Sequence, residues 1–177
     1  VLLYPRKAVH AGKVADVQKF LKLGDTLLDS HVLFDVLPDD LATPAALAKY
    51  KAVYRLDGKT PSASSRSKIT APTTVRASLS RPVKDDALHL HFVNYNRTEP
   101  AKPKSAGGGI HDEKPIAAEG VRFSFRVPDG KILKHIRFLT PENDKAIGLL
   151  ATFSTNTFHI SLPKFLVYGV VELEFGK

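Results

Sequence analysis

The stretch VRFSFRVPDG, residues 121–130, decides the fold of most of this chain. From Val121 to Val127 every second residue is apolar, which is the period of a strand with one buried face. Pro128-Asp129-Gly130 follows directly and is a strong turn signal. This stretch therefore predicts one strand of an antiparallel sheet that covers a core.

Similar alternation or short apolar runs recur on both sides of this strand. Further strands are predicted near residues 75–79, 88–95, 132–139, 147–153, 158–162 and 165–175. Six or seven short strands at this spacing indicate an antiparallel β-sandwich. A long loop, 97–118, interrupts them, and loops of this length inside compact domains are usually functional or mobile.

The first part of the chain has a different pattern, in which strands and helices alternate. Strands are predicted at 1–4, 31–37 and 51–56, with helices at 13–31 and 43–50. Thr43 before Pro44 is a typical helix start, with an N-cap followed by proline at the first helical position. The order β-α-β-α-β predicts parallel strands. The fold class is therefore α+β: a truncated three-stranded parallel α/β unit, then the sandwich.

A polar stretch separates the two patterns. Residues 57–72 read DGKTPSASSRSKITAP, and Gly, Pro, Ser and Thr dominate them. This composition is typical of a linker. We therefore predict three parts: the α/β unit at 1–56, the linker at 57–72 and the β-sandwich at 73–177.

Composition excludes several classes of site. The chain has no Cys, which removes disulfides, thiolate metal sites and Cys nucleophiles. It has no apolar run of about 18 residues, so no segment is predicted to span a membrane as a helix. It also lacks Met and opens on Val1-Leu2-Leu3-Tyr4, from which we expect a fragment or a processed product.

The chain is basic, with 26 Lys and Arg against 18 Asp and Glu and a net charge of +8. Residues 61–84 contain Arg66, Lys68, Arg76, Arg81 and Lys84 without an acid. Such a stripe can follow a phosphate backbone, but no aromatic residue stands between the charges to stack on bases. We favour a solvated linker that runs into an edge strand protected by Lys and Arg.

Two histidines lie on one face of a predicted strand. His89 and His91 are two residues apart, so their side chains project to the same side of the sheet. They could share a metal ion, with His111 or Asp112 from the long loop as a third ligand. The alternative is that Leu88, Leu90 and Phe92 face the core while both histidines face solvent.

Polar residues near the strand ends are candidates for contact with carbohydrate. Asp39 and Asp40 follow the second predicted strand, where open α/β sheets hold ligands. Paired carboxylates also do acid–base chemistry, although the structural interpretation, acids in a loop before a capped helix, is the one we favour. Tyr95 and Arg97 combine an aromatic face with a polar fork, which suits a pyranose ring.

Both parts of the chain resemble a known protein family. The first resembles the start of the class I glutamine amidotransferase-like domain of large bacterial, planctomycete-type glycoside-hydrolase-like proteins. That domain is similar to the β-galactosidase trimerisation domain. The resemblance rests on VLLYPRKAVHAG (1–12) and FLKLGDTLLDSHVLFDVLPDDLATPAALAKYKAVYRL (20–56). The second part is similar to the C-terminal β-sandwich of the same proteins, through LHLHFVNYNRTEP (88–100), VRFSFRVPDGKILKHIRFLTPEND (121–144) and FHISLPKFLVYGVVELEF (158–175).

The resemblance implies a non-catalytic accessory module that supports assembly or contacts carbohydrate. The α/β domain of that family continues beyond its third strand, whereas this chain passes into the linker, so we expect self-association or a missing companion domain. No catalytic residue carries over, and no cofactor is expected. The alternatives are a glycoside hydrolase that uses Asp35, Asp39 or Asp40, and a basic nucleic-acid-binding module. The location is left open, with a secreted or periplasmic bacterial protein as the expectation.

Overall fold

The computed structural model describes residues 1–56, 67–82, 86–98 and 113–176. The chain divides into two compact units, Val1–Arg66 and Ser67–Lys177. Within the described ranges, no helix is both long and apolar enough to cross a membrane.

The first unit alternates short strands and helices. They are β1 (Leu2–Tyr4), α1 (Arg6–His10), α2 (Val14–Asp29), β2 (Val36–Pro38), a 3₁₀ turn (Asp39–Leu41) and α3 (Pro44–Leu47). β1 and β2 pair in parallel, with Leu2 opposite Val36. Tyr54 joins them through a single parallel bridge to Leu2. This bridge lies where we predicted the third strand.

Helix α2 packs against strand β1. The rings of Tyr4 and Phe20 meet edge-on with centroids 5.3 Å apart. The helix runs through Gly24, where an added Cβ would lie 3.7 Å from a methyl carbon of Leu2, an ordinary contact. It ends at Asp29, just before His31 adopts a positive φ of 54°.

The observed bounds of α1 and β2 and the cap of α3 can be compared with the predictions for this unit. Helix α1 lies between the strand predicted at 1–4 and the helix predicted at 13–31, where we predict no element. The strand predicted at 31–37 pairs only over Val36–Pro38, because the short β1 offers few residues to pair with. The predicted cap of α3 is confirmed, since the Thr43 hydroxyl accepts a hydrogen bond from the Ala46 amide at 3.2 Å.

The second unit consists of strands in two antiparallel sheets. The strands are β3 (Ser67–Thr70), β4 (Val75–Ser80), β5 (Ala87–Asn94), β6 (Arg122–Arg126), β7 (Ile132–Thr140), β8 (Asn143–Gly148), β9 (Thr152–Ser154), β10 (Thr157–Ser161) and β11 (Tyr168–Gly176). One sheet has four strands in the order β3-β6-β10-β9, and the other has five in the order β4-β5-β11-β7-β8. The predicted antiparallel sheets are confirmed.

Aromatic side chains fill the space between the sheets. Phe92 of the five-stranded sheet meets Phe123 of the four-stranded sheet with ring centroids 6.3 Å apart. Phe123 then meets Phe158 edge-on at 6.1 Å. Phe165, between β10 and β11, lies 6.0 Å from the ring of Phe138 and is also buried. These contacts hold two apolar faces together, as in a β-sandwich.

Two strand boundaries differ from the expectations. A single strand was predicted at 147–153, but β8 and β9 belong to different sheets, because the chain crosses between the layers there. β3 lies inside the stretch predicted as a linker, and its central Ile69 is 8% exposed. One apolar residue among polar neighbours is a weak strand signal, which explains why composition alone indicated a linker.

Candidate functional site

A groove of about 360 Å³ lies on the outer face of the four-stranded sheet. We call it the four-strand groove. Strands β3, β6, β10 and β9 all contribute residues to it. Because side chains alternate along each strand, the residues facing the groove are those whose neighbours point into the core.

Three cationic or titratable side chains line the four-strand groove. The register pairs Lys68 with Ser124 and Ser124 with His159, so a single row crosses the sheet. Arg122 lies two residues from Ser124 on β6, on the same face. All of Lys68, Arg122 and His159 are exposed.

Hydroxyl groups complete the polar lining, and they belong to Thr70, Ser124, Thr152 and Ser161. The Ser154 hydroxyl forms a hydrogen bond with Nε2 of His159 at 2.8 Å, which orients the imidazole at one side of the groove. Phe123 and Ile160, each 3% exposed, lie beneath, and Leu150 is 95% exposed at the rim. The groove thus presents hydrogen-bond donors, hydrogen-bond acceptors and positive charge, while the side chains of Phe123 and Ile160 are buried on the core side of the sheet.

A second polar group lies on the outer face of the five-stranded sheet. We call it the His91 cluster; it comprises Ser80, His89, His91, Arg137, Tyr168 and Glu172. His91 forms hydrogen bonds through both ring nitrogens, with Ser80 Oγ at 2.8 Å from Nε2 and Tyr168 Oη at 2.6 Å from Nδ1. Its ring also stacks on that of Tyr168.

An ion pair lies beside His91. Glu172 accepts from Arg137 at 3.0 Å and lies 3.9 Å from Nε2 of His89. Burial lowers the pKa of the His91 imidazole below its ordinary value, and the nearby His89 lowers it further. The cluster therefore favours a neutral imidazole held between two hydroxyl groups.

The structure places both predicted histidine ligands on one face. The rings of His89 and His91 lie 6.3 Å apart. His111 and Asp112 lie outside the described residues. Among the residues that are described, no group of three or more His, Asp or Glu side chains could hold a metal ion. The three-ligand metal site stays a prediction.

Tyr95 and Arg97 follow directly after β5. Tyr95 is 62% exposed, and Arg97 forms an ion pair with Glu113 at 2.9 Å. The buried Asn94 anchors this segment, because its amide donates to the carbonyls of Ile116 and Leu166. An aromatic face and an ion pair therefore occur on one short, well-anchored segment.

Asp39 and Asp40 lie in the first unit, away in sequence from Tyr95 and Arg97, which belong to the second. Asp40 forms an ion pair with Arg6 at 3.0 Å. Asp39 accepts a hydrogen bond from the Lys7 amide at 3.4 Å. Both carboxylates thus hold the 3₁₀ turn to the start of α1.

Sequence reasoning noted the charge of Lys68 but missed the site to which it belongs. Arg122 and His159 also lay in predicted strands, as the polar residues between apolar ones. Their alternation could have placed each on an outer face. It could not have shown that β3, β6 and β10 are neighbours, because the local sequence of a strand does not determine which distant strand it pairs with.

No protein-family model matches the chain, and no curated protein matches it. Solved structures similar to it include α-L-fucosidase isoenzyme 2 from Paenibacillus thiaminolyticus, at 16% identity and a TM-score of 0.45 over 63% of this chain. Another is a cycloisomaltooligosaccharide glucanotransferase from Paenibacillus sp. complexed with cycloisomaltoheptaose, at 16% identity and a TM-score of 0.43 over 59% of this chain. The chain covers 16% of each of these proteins. Both neighbours have the names of carbohydrate-active enzymes.

Proposed function

We propose that this chain is a non-catalytic module that contacts carbohydrate, and that the four-strand groove is its binding site. The observation that carries the proposal is the lining of the groove. Hydroxyl and cationic side chains from neighbouring strands converge on one face of the sheet. Sugars offer many hydroxyl groups and ring oxygens, which such a lining can pair with.

The size of the groove also supports the proposal. Its volume of about 360 Å³ lies within the range of small-ligand sites, about 300–1,000 Å³. The lining residues stand on paired strands, so their spacing is held by backbone hydrogen bonds. Sites on rigid elements keep their geometry better than sites on loops.

A hydrolase that uses the loop acids is the rival from another class. Asp39 and Asp40 are engaged with α1 through Lys7 and Arg6. This engagement gives both carboxylates a structural task, which is why we favour binding over hydrolysis. Turnover of aryl glycosides that is abolished by Asp39→Asn would reverse this preference.

Affinity electrophoresis through gels that contain neutral or acidic polysaccharides tests the proposal. We expect retardation by at least one polysaccharide. Ser124 lies at the centre of the groove lining, so Ser124→Trp should fill the groove and weaken binding by more than about tenfold. Trp is well tolerated in strands, so the variant should keep its fold, which circular dichroism can verify.

The matched control is Ser78→Trp. Ser78 is an exposed strand serine opposite His91 on the other sheet, so the same bulk is added outside the groove. This control should bind like the unmodified protein. Absence of retardation on every gel, or equal losses in both Trp variants, would overturn the proposal.

A further inference from the structure

We infer that the carbohydrate held in the four-strand groove is anionic, with uronate carboxylates or sulfate esters on its sugar rings. This inference rests on the proposed function and names its ligand class. It comes from the charges on the groove face. Lys68, Arg122 and His159 all line the groove. None of the groove-lining residues, all of them in the described part of the chain, is acidic.

Lys68, Arg122 and His159 lie close enough together to contact one short ligand. Lys68 and His159 both flank Ser124 in the register, which places their backbones two strand spacings apart, about 10 Å. Arg122 lies two residues along β6 from Ser124, which is about 7 Å. An acidic sugar over Ser124 would therefore have positive charge on two sides, from Lys68 and Arg122, and the imidazole of His159 on a third side.

No carboxylate of the described residues pairs with the two cations of the groove. Within the described ranges, neither Lys68 nor Arg122 forms an ion pair. Two other arginines of this unit do have carboxylate partners: Arg126 lies 3.7 Å from Asp129, and Arg137 lies 3.0 Å from Glu172. An anionic ligand would supply the missing partner, and Arg can bind a carboxylate or sulfate through two parallel hydrogen bonds.

The groove also lacks the feature that neutral sugars need most. Its lining contains one aromatic residue in the described chain, Phe123, and this ring is 3% exposed, so it offers no stacking platform. Binding must therefore come from hydrogen bonds and charge. The same lack of stacking disfavours single-stranded nucleic acid, whose binding depends on bases stacked on aromatic side chains.

The test compares dextran with dextran sulfate, which share a glucan backbone and differ in charge, and adds polygalacturonate as a carboxylate polymer with another backbone. Binding is measured by affinity electrophoresis with dextran, dextran sulfate, polygalacturonate and an oligothymidylate as competitor. We expect retardation by dextran sulfate or polygalacturonate, none by dextran, and a loss of affinity when salt is raised. Sulfate and carboxylate sources are distinguished by which of the two gels retards the protein.

Variants show whether the groove is responsible. Lys68→Gln with Arg122→Gln should weaken binding of the acidic polysaccharide by about tenfold, as expected for two exposed charge contacts. Lys145→Gln with Arg81→Gln removes the same charge from exposed positions outside the groove, and should change binding by less than about twofold.

Each outcome decides between the claims. Equal retardation by dextran and dextran sulfate would overturn the anionic ligand and leave carbohydrate binding intact. Equal losses of affinity in the two double variants would show that binding depends only on the net charge of the protein, and would contradict the groove as the binding site. Tighter binding of oligothymidylate than of any polysaccharide would replace the inference with nucleic-acid binding. Retardation by no polysaccharide would overturn the proposed function itself.

Discussion

The protonation of His91 depends on the groups that surround its imidazole ring. Both of its ring nitrogens are occupied, by the hydroxyl groups of Ser80 and Tyr168. Glu172 and Arg137 on neighbouring strands face the same cluster, and His89 lies beside it. Burial and the proximity of His89 lower the pKa of His91, so the folded protein resists protonating this side chain.

This shift predicts a pH dependence of stability. The unfolded chain takes up a proton at His91 near pH about 6.5, whereas the folded chain takes it up only at lower pH. Below the unfolded value, protonation therefore favours unfolding, and stability falls as the pH falls. Urea denaturation at pH 7.5 and 5.5 should show a decrease for the unmodified protein and a smaller decrease for His91→Gln. An identical decrease in both proteins would contradict this account of His91.

Only some residues of the candidate sites could be identified from the sequence. Tyr95, Arg97, His89 and His91 were singled out because each stands in a recognisable local pattern. Arg122 and His159 were not, because in the sequence they are only the polar members of alternating strands. Their significance depends on Ser124 lying between Lys68 and His159 in the sheet, which is a tertiary fact.

At the scale of elements, alternation was the reliable signal. β6 and β10 have buried residues at every second position, and both were predicted near their observed bounds. Elements without that signal are not predictable in this way: the sequence analysis predicts no element at α1, and it places β3 inside the linker. Short elements depend on the neighbours they pack against, so local sequence specifies them weakly.

Packing between β11 and β7 gives a prediction at this scale. A Cβ on Gly169 would lie 2.6 Å from a ring carbon of Phe138, which is fully buried. Gly169→Ala should therefore force the ring to shift and lower the free energy of unfolding by about 1–3 kcal/mol. Thermal or urea denaturation measures this change.

Gly148→Ala is the matched control for that substitution. Gly148 is also in a strand, β8, and a Cβ there would meet nothing within 4 Å. It should change stability by no more than about 0.5 kcal/mol. Similar losses of stability at the two positions would show that the close approach of Phe138 is not the reason why Gly169 is required.

At the scale of the whole molecule, the chain combines two units of different kinds. The sandwich has a core of closely packed aromatic rings, whereas the first unit has a small parallel sheet. Apolar side chains are exposed on both units. Val14 and Leu21 on α2 are 65% and 56% exposed, and Val36 on β2 is 53% exposed. Self-association or a companion domain at this unit stays a prediction, which light scattering of the purified chain would test.

We propose that the outer face of the four-stranded sheet binds carbohydrate, and a nuclear magnetic resonance titration can locate this binding residue by residue. Amide spectra of labelled protein are recorded while the oligosaccharide that binds best in the electrophoresis panel is added. The largest changes in amide chemical shift are expected at residues of β3, β6, β9 and β10, around Ser124. Changes confined to the His91 cluster or to Tyr95 and Arg97, or no changes at saturating ligand, would contradict it.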